Sequence, residues 1–323
     1  MTTKGLFLQN IIAIIWDFDK TLSPQYMQAP LFRAFDVDEA KFWAEVNALP
    51  AYYKRAGIHL QPDTCYLNHL LTYVRQGLMP GLSNARLREL GAEVPLFPGL
   101  VELFDRLHDV LGSPPFQEGD LRLEHYVVST GLTEMIRGCS IAKRLNGIWG
   151  SEFIEQPALP GADISGTPAP GEISQIASFL DNTTKTRAIF EINKGVNKLP
   201  NISVNDMIPE EERRVPVRNM IYIADGPSDI PSFSVVRKHG GLTYAVYSPE
   251  SNEQFEQVVD LQRTNRIDDY GPADYREGGH TDMWLRLQVR RIAQRIMTNR
   301  KVALESRVAS GPKHVSDDWT GSE

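Results

Sequence analysis

Two acids set two residues apart, Asp17 and Asp19, close an unbroken apolar run over 11–16. Such a run reads as a strand buried on both faces, as in a parallel sheet. Side chains two apart on an extended chain share a face, so both carboxylates can converge on one point. Two acids in a confined place repel each other unless a cation or a proton sits between them. Magnesium with a phosphate ester accounts for the pair, one Asp acting as nucleophile and the other as proton donor. A second pair lies far downstream: the apolar run 220–224 ends in Asp225, and the turn Gly226-Pro227-Ser228 brings back Asp229. Between the two pairs, the run 124–128 ends in Ser129-Thr130-Gly131. A hydroxyl at a strand end can donate to a phosphate oxygen, helped by nearby backbone N–H groups and the next helix N-terminus. Capping that helix is the alternative use of the same hydroxyl.

These groups need strands whose carboxyl ends meet at one edge, and the patterning supplies them. Strands are expected over 11–16, 124–128, 220–224 and 242–247, the last of the chain. Helices are expected over 100–111, from 132 toward 144, over 186–193 and over 282–300. Strands alternating with helices make an α/β fold with a doubly wound parallel sheet. Residues 25–95 differ, being all helix and turn. Asp38 can cap a helix reaching Leu49, and two more fit 63–75 and 84–90, closed by Gly77 and Gly91. This stretch reads as an inserted all-helical cap over the crevice, its aromatics chiefly filling a core. The resulting division is a core of 1–24 and 96–300, a cap of 25–95, and a polar tail of 301–323. Residues 147–170, rich in glycine and proline, are expected to form hairpins and loops, and 197–217 an excursion from the core.

The 323 residues carry a net charge of -7 without lysine-rich blocks, which argues against a nucleic-acid partner. The two cysteines, Cys65 and Cys139, have no metal spacing and read as reduced thiols of a cytoplasmic protein. The late basic helix could lie on a membrane, but packing on the sheet is the better reading in an acidic chain. No stretch reaches the roughly 20 apolar residues of a membrane span.

Asp17-Phe18-Asp19-Lys20-Thr21 resembles the first motif of the haloacid dehalogenase (HAD) superfamily, Asp-x-Asp-x-Thr. Ala224-Asp225-Gly226-Pro227-Ser228-Asp229 resembles its fourth, and Val127-Val128-Ser129 its second, with Thr130 as the alternate hydroxyl. The third motif is a lysine, for which Lys185 is chosen over Lys194. A lysine at a helix N-terminus opposes the dipole unless an anion lies nearby, whereas Lys194 has a structural use beside Gly195. The resemblance implies a HAD-like core with a helical cap, closest to phosphoserine phosphatase-like members. It also implies Mg2+ held by Asp17, the Asp19 backbone carbonyl and Asp225, with Asp229 as a ligand or a holder of metal-bound water. Ser129 and Lys185 would hold phosphate oxygens. The implied activity is hydrolysis of a small phosphorylated metabolite through an aspartyl-phosphate on Asp17, with Asp19 as acid and base.

The chain departs from that pattern in places. Ser23-Pro24-Gln25-Tyr26-Met27 holds no acid where phosphoserine phosphatases grip the amino group, which speaks against phosphoserine. Ala224 and Ser228 replace the usual Gly and Asn, and the stretch 195–218 is long for the family. A dehalogenase would leave Asp19 and Asp225 without a purpose. A phosphomutase and a catalytically silent phospho-ligand-binding protein are the rival readings. The sequence leaves the substrate and the oligomeric state open.

Overall fold

The computed structural model describes residues 9–309. Strand β1 (Ile11–Trp16) is followed by four helices, α1 (Ala29–Ala34), α2 (Glu39–Lys54), α3 (Pro62–Arg75) and α4 (Asn84–Gly91). Next come α5 (Leu100–Gly112), β2 (Arg122–Leu132), α6 (Thr133–Gly138), β3 (Gly147–Ile154), β4 (Gln175–Ser178) and α7 (Lys185–Lys194). The chain continues through β5 (Met220–Ala224), α8 (Ile230–Lys238), β6 (Leu242–Tyr247), α9 (Asn252–Arg263), β7 (Asp269–Pro272) and α10 (His280–Ala309).

The strands form one sheet in the order β4-β3-β2-β1-β5-β6-β7. All pairings are parallel except that of β4 with β3. Strand β1 is buried on both faces because helices cover both, and its side chains divide by parity. Ile12, Ile14 and Trp16 enter one core with α5 and α10, where Phe104, Leu107, Val289 and Ile292 are buried. Ile11, Ala13 and Ile15 enter the other, against Ile189 and Ile192 of α7 and Phe233 of α8. From β1 the chain goes to β2 on one side and later places β5 on the other. The strand order therefore reverses at β1, and the carboxyl ends of β2, β1 and β5 flank a crevice.

The helical stretch between β1 and α5 is built by ordinary local rules. Asp38 caps α2 by accepting from Lys41 N–H at 3.0 Å, and Ser83 caps α4 through Arg86 N–H at 3.1 Å. Phe32 and Phe42 are buried, their rings 4.8 Å apart. Among the ties between this stretch and the core, two involve α4 and its preceding turn. Helix α4 crosses α6 so closely that a Cβ on Gly91 would stand 2.1 Å from the Met135 carbonyl oxygen. The β3–β4 hairpin reaches back to it, through Ile173 N–H on the Leu82 carbonyl and Asn84 Nδ2 on the Phe153 carbonyl.

Several expectations are corrected. Residues 147–154, within the stretch expected as hairpins and loops, form β3, one arm of the β3–β4 hairpin. The sheet is mostly parallel as expected, with β4 as an antiparallel edge, a strand beyond the stretch expected to form hairpins. The run 242–247 is not the last strand, since β7 follows it. Helix α6 ends at Gly138, where a Cβ would meet the Arg88 carbonyl oxygen. Helix α10 packs Leu285, Val289, Ile292 and Ile296 into the core. It runs to Ala309, past the end expected at 300; residues 310–323 of the expected tail lie outside the described residues. Among the described residues no helix is long and apolar enough to cross a membrane.

Candidate active site

Parity carries Asp17 and Asp19 past the end of β1 on the face of Ile11, Ala13 and Ile15, toward α7. Asp17 N–H donates to the Ile223 carbonyl at 2.8 Å, so the chain leaves β1 still paired with β5. It then turns sharply. The buried Phe18 carbonyl accepts from the N–H groups of Thr21, Leu22 and Ser23, and Lys20 sits at φ 58°. The turn brings Thr21 Oγ1 to 3.5 Å from Asp17 Oδ2, while Asp19 Oδ1 accepts from Met27 N–H at 2.8 Å. Register sets the neighbours: Trp16 pairs with Val127 and with Ile223. Asp17 is therefore level with Val128 and Ala224, and Ser129 and Asp225 lie one step further along their strands.

Lys185, the first residue of α7, is 1% exposed, and its Nζ lies 2.8 Å from Asp17 Oδ1 and 2.9 Å from Asp229 Oδ1. Lys194 is spent elsewhere, on the carbonyls of Val204 and Asp206. Asp229 also accepts from Tyr222 O–H at 2.6 Å and Ser228 O–H at 2.8 Å. Carboxylate oxygens of Asp17, Asp225 and Asp229 all fall within 4.8 Å of one another. The Asp19 carboxylate stands outside that trio, which leaves its backbone carbonyl as the donor expected of it. Ser129 is buried in β2 just past Val128, where the pairing of β2 with β3 becomes irregular, and its Oγ accepts from Gly131 N–H at 3.0 Å. Thr130 is partly exposed, and its carbonyl accepts from Tyr66 O–H of α3 at 2.6 Å.

The electrostatics follow from burying more acid than base. Burial raises the Asp17 carboxyl to about 6, with Lys185 pulling it down and Asp229 pushing it up. Asp19 is raised to about 8, by burial first and then by Asp17. Asp225 is raised to about 7, again by burial and then Asp17. Burial would lower the Lys185 ammonium, but Asp17 and Asp229 outweigh it and hold it well above its ordinary value. A single ammonium among four acids leaves excess negative charge. A hard divalent cation taking carboxylate oxygens would relieve it, so the donor set fits magnesium. Thr21, which leans on Asp17, is the threonine of the Asp-x-Asp-x-Thr motif but takes no role from the sequence alone. Tyr222, which donates to Asp229, has one signal there, a hydroxyl on a strand otherwise aliphatic.

Asp19, Thr130 and Gly131 border a cavity of about 450 Å³ whose far wall is the helical stretch, from Trp43 and Val46 of α2 to Asp63 and Tyr66 of α3. A Cβ on Gly131 would collide with Met27, so β2 must be bare there for the segment after β1 to pack against it.

No protein-family model matches the chain. It is 35% identical over 283 residues to an uncharacterized protein of Borreliella burgdorferi, covering 86% of this chain and 96% of that protein. A solved HAD family hydrolase of Salmonella enterica serovar Typhi superposes with a TM-score of 0.49 at 14% identity, over 86% of this chain and 70% of that one. A probable phosphoserine phosphatase of Vibrio cholerae gives a TM-score of 0.48 at 16% identity, over 89% and 67%. The protein has an α/β core built on a seven-stranded, mostly parallel sheet with a helical stretch between its first two strands, and it belongs to one family with the Borreliella burgdorferi protein.

Proposed function

We propose that this protein is a magnesium-dependent phosphatase that hydrolyses a small phosphate monoester through an aspartyl-phosphate on Asp17. The observation that carries the reading is the Lys185 ammonium held between Asp17 and Asp229, at the strand ends where Asp225 and Ser129 also arrive. That arrangement offers one buried nucleophile, one fixed cation and hydroxyl and N–H donors around the space a phosphoryl group would fill.

Burial raises the Asp19 carboxyl further than that of Asp17, which Lys185 pulls down, so of the two Asp17 is the better suited to stay an anion and Asp19 to carry a proton. An Asp17 oxygen attacks phosphorus while the bond from phosphorus to the leaving oxygen breaks, and Asp19 delivers its proton to that oxygen. Water then attacks phosphorus, Asp19 takes back a proton, and the acyl-phosphate bond breaks to free phosphate and Asp17. Lys185 and Ser129 hold equatorial oxygens, where charge spreads in a loose transition state. Asp17, Asp225 and Asp229 would hold Mg2+, with the Asp19 backbone as a further donor. The ion would screen the negative charges of nucleophile and phosphate from each other.

The test is release of inorganic phosphate from p-nitrophenyl phosphate with and without Mg2+. Turnover should need the metal and vanish in Asp17→Asn; activity surviving in that variant would refute the nucleophile.

A further inference from the structure

The cavity beside Asp19 differs from the phosphoryl site in the kind of group that lines it. Three rings stand in a row along it: Tyr26 and Trp43 have centroids 5.6 Å apart, and Trp43 and Tyr66 5.9 Å. Two acids face it, Asp19 at the catalytic end and Asp63 from the first turn of α3. Gln28 also lines it, 3% exposed, and its Oε1 accepts no hydrogen bond. Neither lysine nor arginine is among the lining residues. Asp63 is half-buried, and among the described residues no ammonium or guanidinium stands within ion-pair distance of it. Burial, and then the carboxylate of Asp181, push the Asp63 carboxyl up, with the Lys185 ammonium opposing them only in part. One cation does approach the rim: Lys20 Nζ lies 4.6 Å from the Tyr26 ring centroid, on a ring whose π-face already accepts positive charge. Lys185 is committed to Asp17 and Asp229.

Ring faces, an unpaired carboxylate and an amide oxygen without a donor all favour positive charge, and a binding site without basic residues rejects an anion. We propose that this cavity receives the alcohol half of the substrate and that this alcohol carries a positively charged nitrogen, as an amino-alcohol or quaternary-ammonium phosphate ester does. The inference rests on the phosphatase reading and narrows it. It sets aside phosphorylated acids, whose carboxylate would meet Asp63 with no basic partner. Trp43 and Tyr66 supply the surface for the nitrogen substituents, and Asp63 the counter-charge.

Four esters decide it: phosphocholine, phosphoethanolamine, 3,3-dimethylbutyl phosphate as the neutral match in shape, and phosphoglycolate as an anion. With Mg2+ present, the better of the two cationic esters should exceed the neutral one at least tenfold in kcat/KM, with phosphoglycolate lowest. That ratio should collapse toward one in Asp63→Asn and fall in Trp43→Leu, the second variant guarding against a folding defect in the first. A neutral ester turned over as well as both cationic ones by the unaltered protein overturns the proposal. Failure to hydrolyse any ester, p-nitrophenyl phosphate included, strikes the phosphatase reading instead. Calorimetric titration of phosphocholine against its neutral match then still decides, tighter binding of the cation supporting the cavity assignment and equal binding overturning it.

Discussion

Lys185 Nζ stands 2.8 Å from Asp17 Oδ1, both groups buried, although 168 residues of chain separate them. The second arm of the clamp, Asp229, lies 2.9 Å from the same nitrogen. Removing one partner from a buried ionic cluster is far more damaging than never having built it, because the survivors keep their desolvation cost without a counter-charge. Lys185→Met should therefore lose roughly 3 kcal/mol of stability at pH 8. The loss should shrink at pH 5, where the stranded acids can take up protons. Urea denaturation at the two pH values reads this directly, and an equal loss at both would contradict the clamp.

On the proposed mechanism Asp19 separates the two chemical steps. Its raised proton affinity suits it to act as an acid toward the leaving oxygen, and a positioned acid is worth roughly 10²–10⁴-fold in rate. p-Nitrophenolate leaves without a proton, whereas an alkoxide does not. Asp19→Asn should thus abolish turnover of alkyl phosphates yet release about one equivalent of p-nitrophenol per enzyme in a burst, since the second step lacks its base. Stopped-flow absorbance is the measurement. Steady turnover of an alkyl phosphate at the unaltered rate would remove Asp19 from the mechanism.

His125 gives a pH dependence distinct from that of the acids around Lys185. It is fully buried between Trp16, Phe104 and His108, and burial, with His108 nearby, holds its imidazole well below the ordinary range. Trp16 Nε1 donates to its Nδ1 at 3.3 Å, so the ring proton sits on Nε2, which finds no acceptor. The folded state thus holds this histidine neutral while the unfolded chain protonates it below about pH 6.5. The stability contributed is present above that value and is lost as pH falls from it toward the folded value. The slope is at most about 1.4 kcal/mol per pH unit. His125→Phe orphans the Trp16 N–H at a cost of roughly 1 kcal/mol, but its denaturation midpoint should fall less steeply between pH 6.5 and 5.

What could be read without coordinates was whatever period and position encode. The apolar runs 11–16 and 220–224 had a single reading because both faces are buried, and their terminal acids had nowhere to go but the crevice. β3 was illegible because Gly147, Gly150 and Glu152 break its pattern. Gly150 is bare because Thr133 and the Gly131 carbonyl pass against it, a tertiary demand that looks like loop composition. β7 was hidden likewise: in Asp269–Pro272, Gly271 lies under the Tyr244 hydroxyl and Pro272 ends a short edge strand. For the site, chemistry-bearing residue types were visible, but partners were not. That Tyr222 would turn its hydroxyl to Asp229, or Thr21 lean on Asp17, depends on turns whose geometry no spacing specifies.

The contact of α4 with α6 is a strict steric test. A Cβ at Gly91 would lie 2.1 Å from the Met135 carbonyl oxygen, and one at Gly138 would lie 1.8 Å from that of Arg88. Both obstacles are backbone, which cannot rotate away, so relief means moving a helix. Gly91→Ala should cost at least 1–3 kcal/mol, the usual range for overpacking, despite the better helix propensity of alanine. Gly112→Ala, where nothing stands within 4 Å, is the control and should cost far less. Thermal unfolding of the two variants would settle the ranking, and equal stabilities would deny the close crossing.

Tyr222 tests whether the acid cluster is built to hold a cation. Its hydroxyl is buried and donates to Asp229 Oδ1 at 2.6 Å, on the same oxygen that faces Lys185. A hydrogen bond to a charged acceptor contributes about 1.5–3 kcal/mol, and groups that orient metal ligands typically change metal affinity about 10–100-fold. Tyr222→Phe keeps the ring that packs on Phe233 at 5.6 Å, so the core is undisturbed. Asp229 keeps Lys185 and Ser228 but loses its shortest donor, and its carboxylate is freed to rotate. The Mg2+ concentration giving half-maximal phosphatase activity should rise about tenfold, with kcat at saturating metal falling less. Magnesium should still raise the denaturation midpoint of the variant, but only at correspondingly higher concentration, as mass action on the folded state requires. A variant whose magnesium dependence is unaltered would mean that Asp229 serves Lys185 alone and that the metal is held without it.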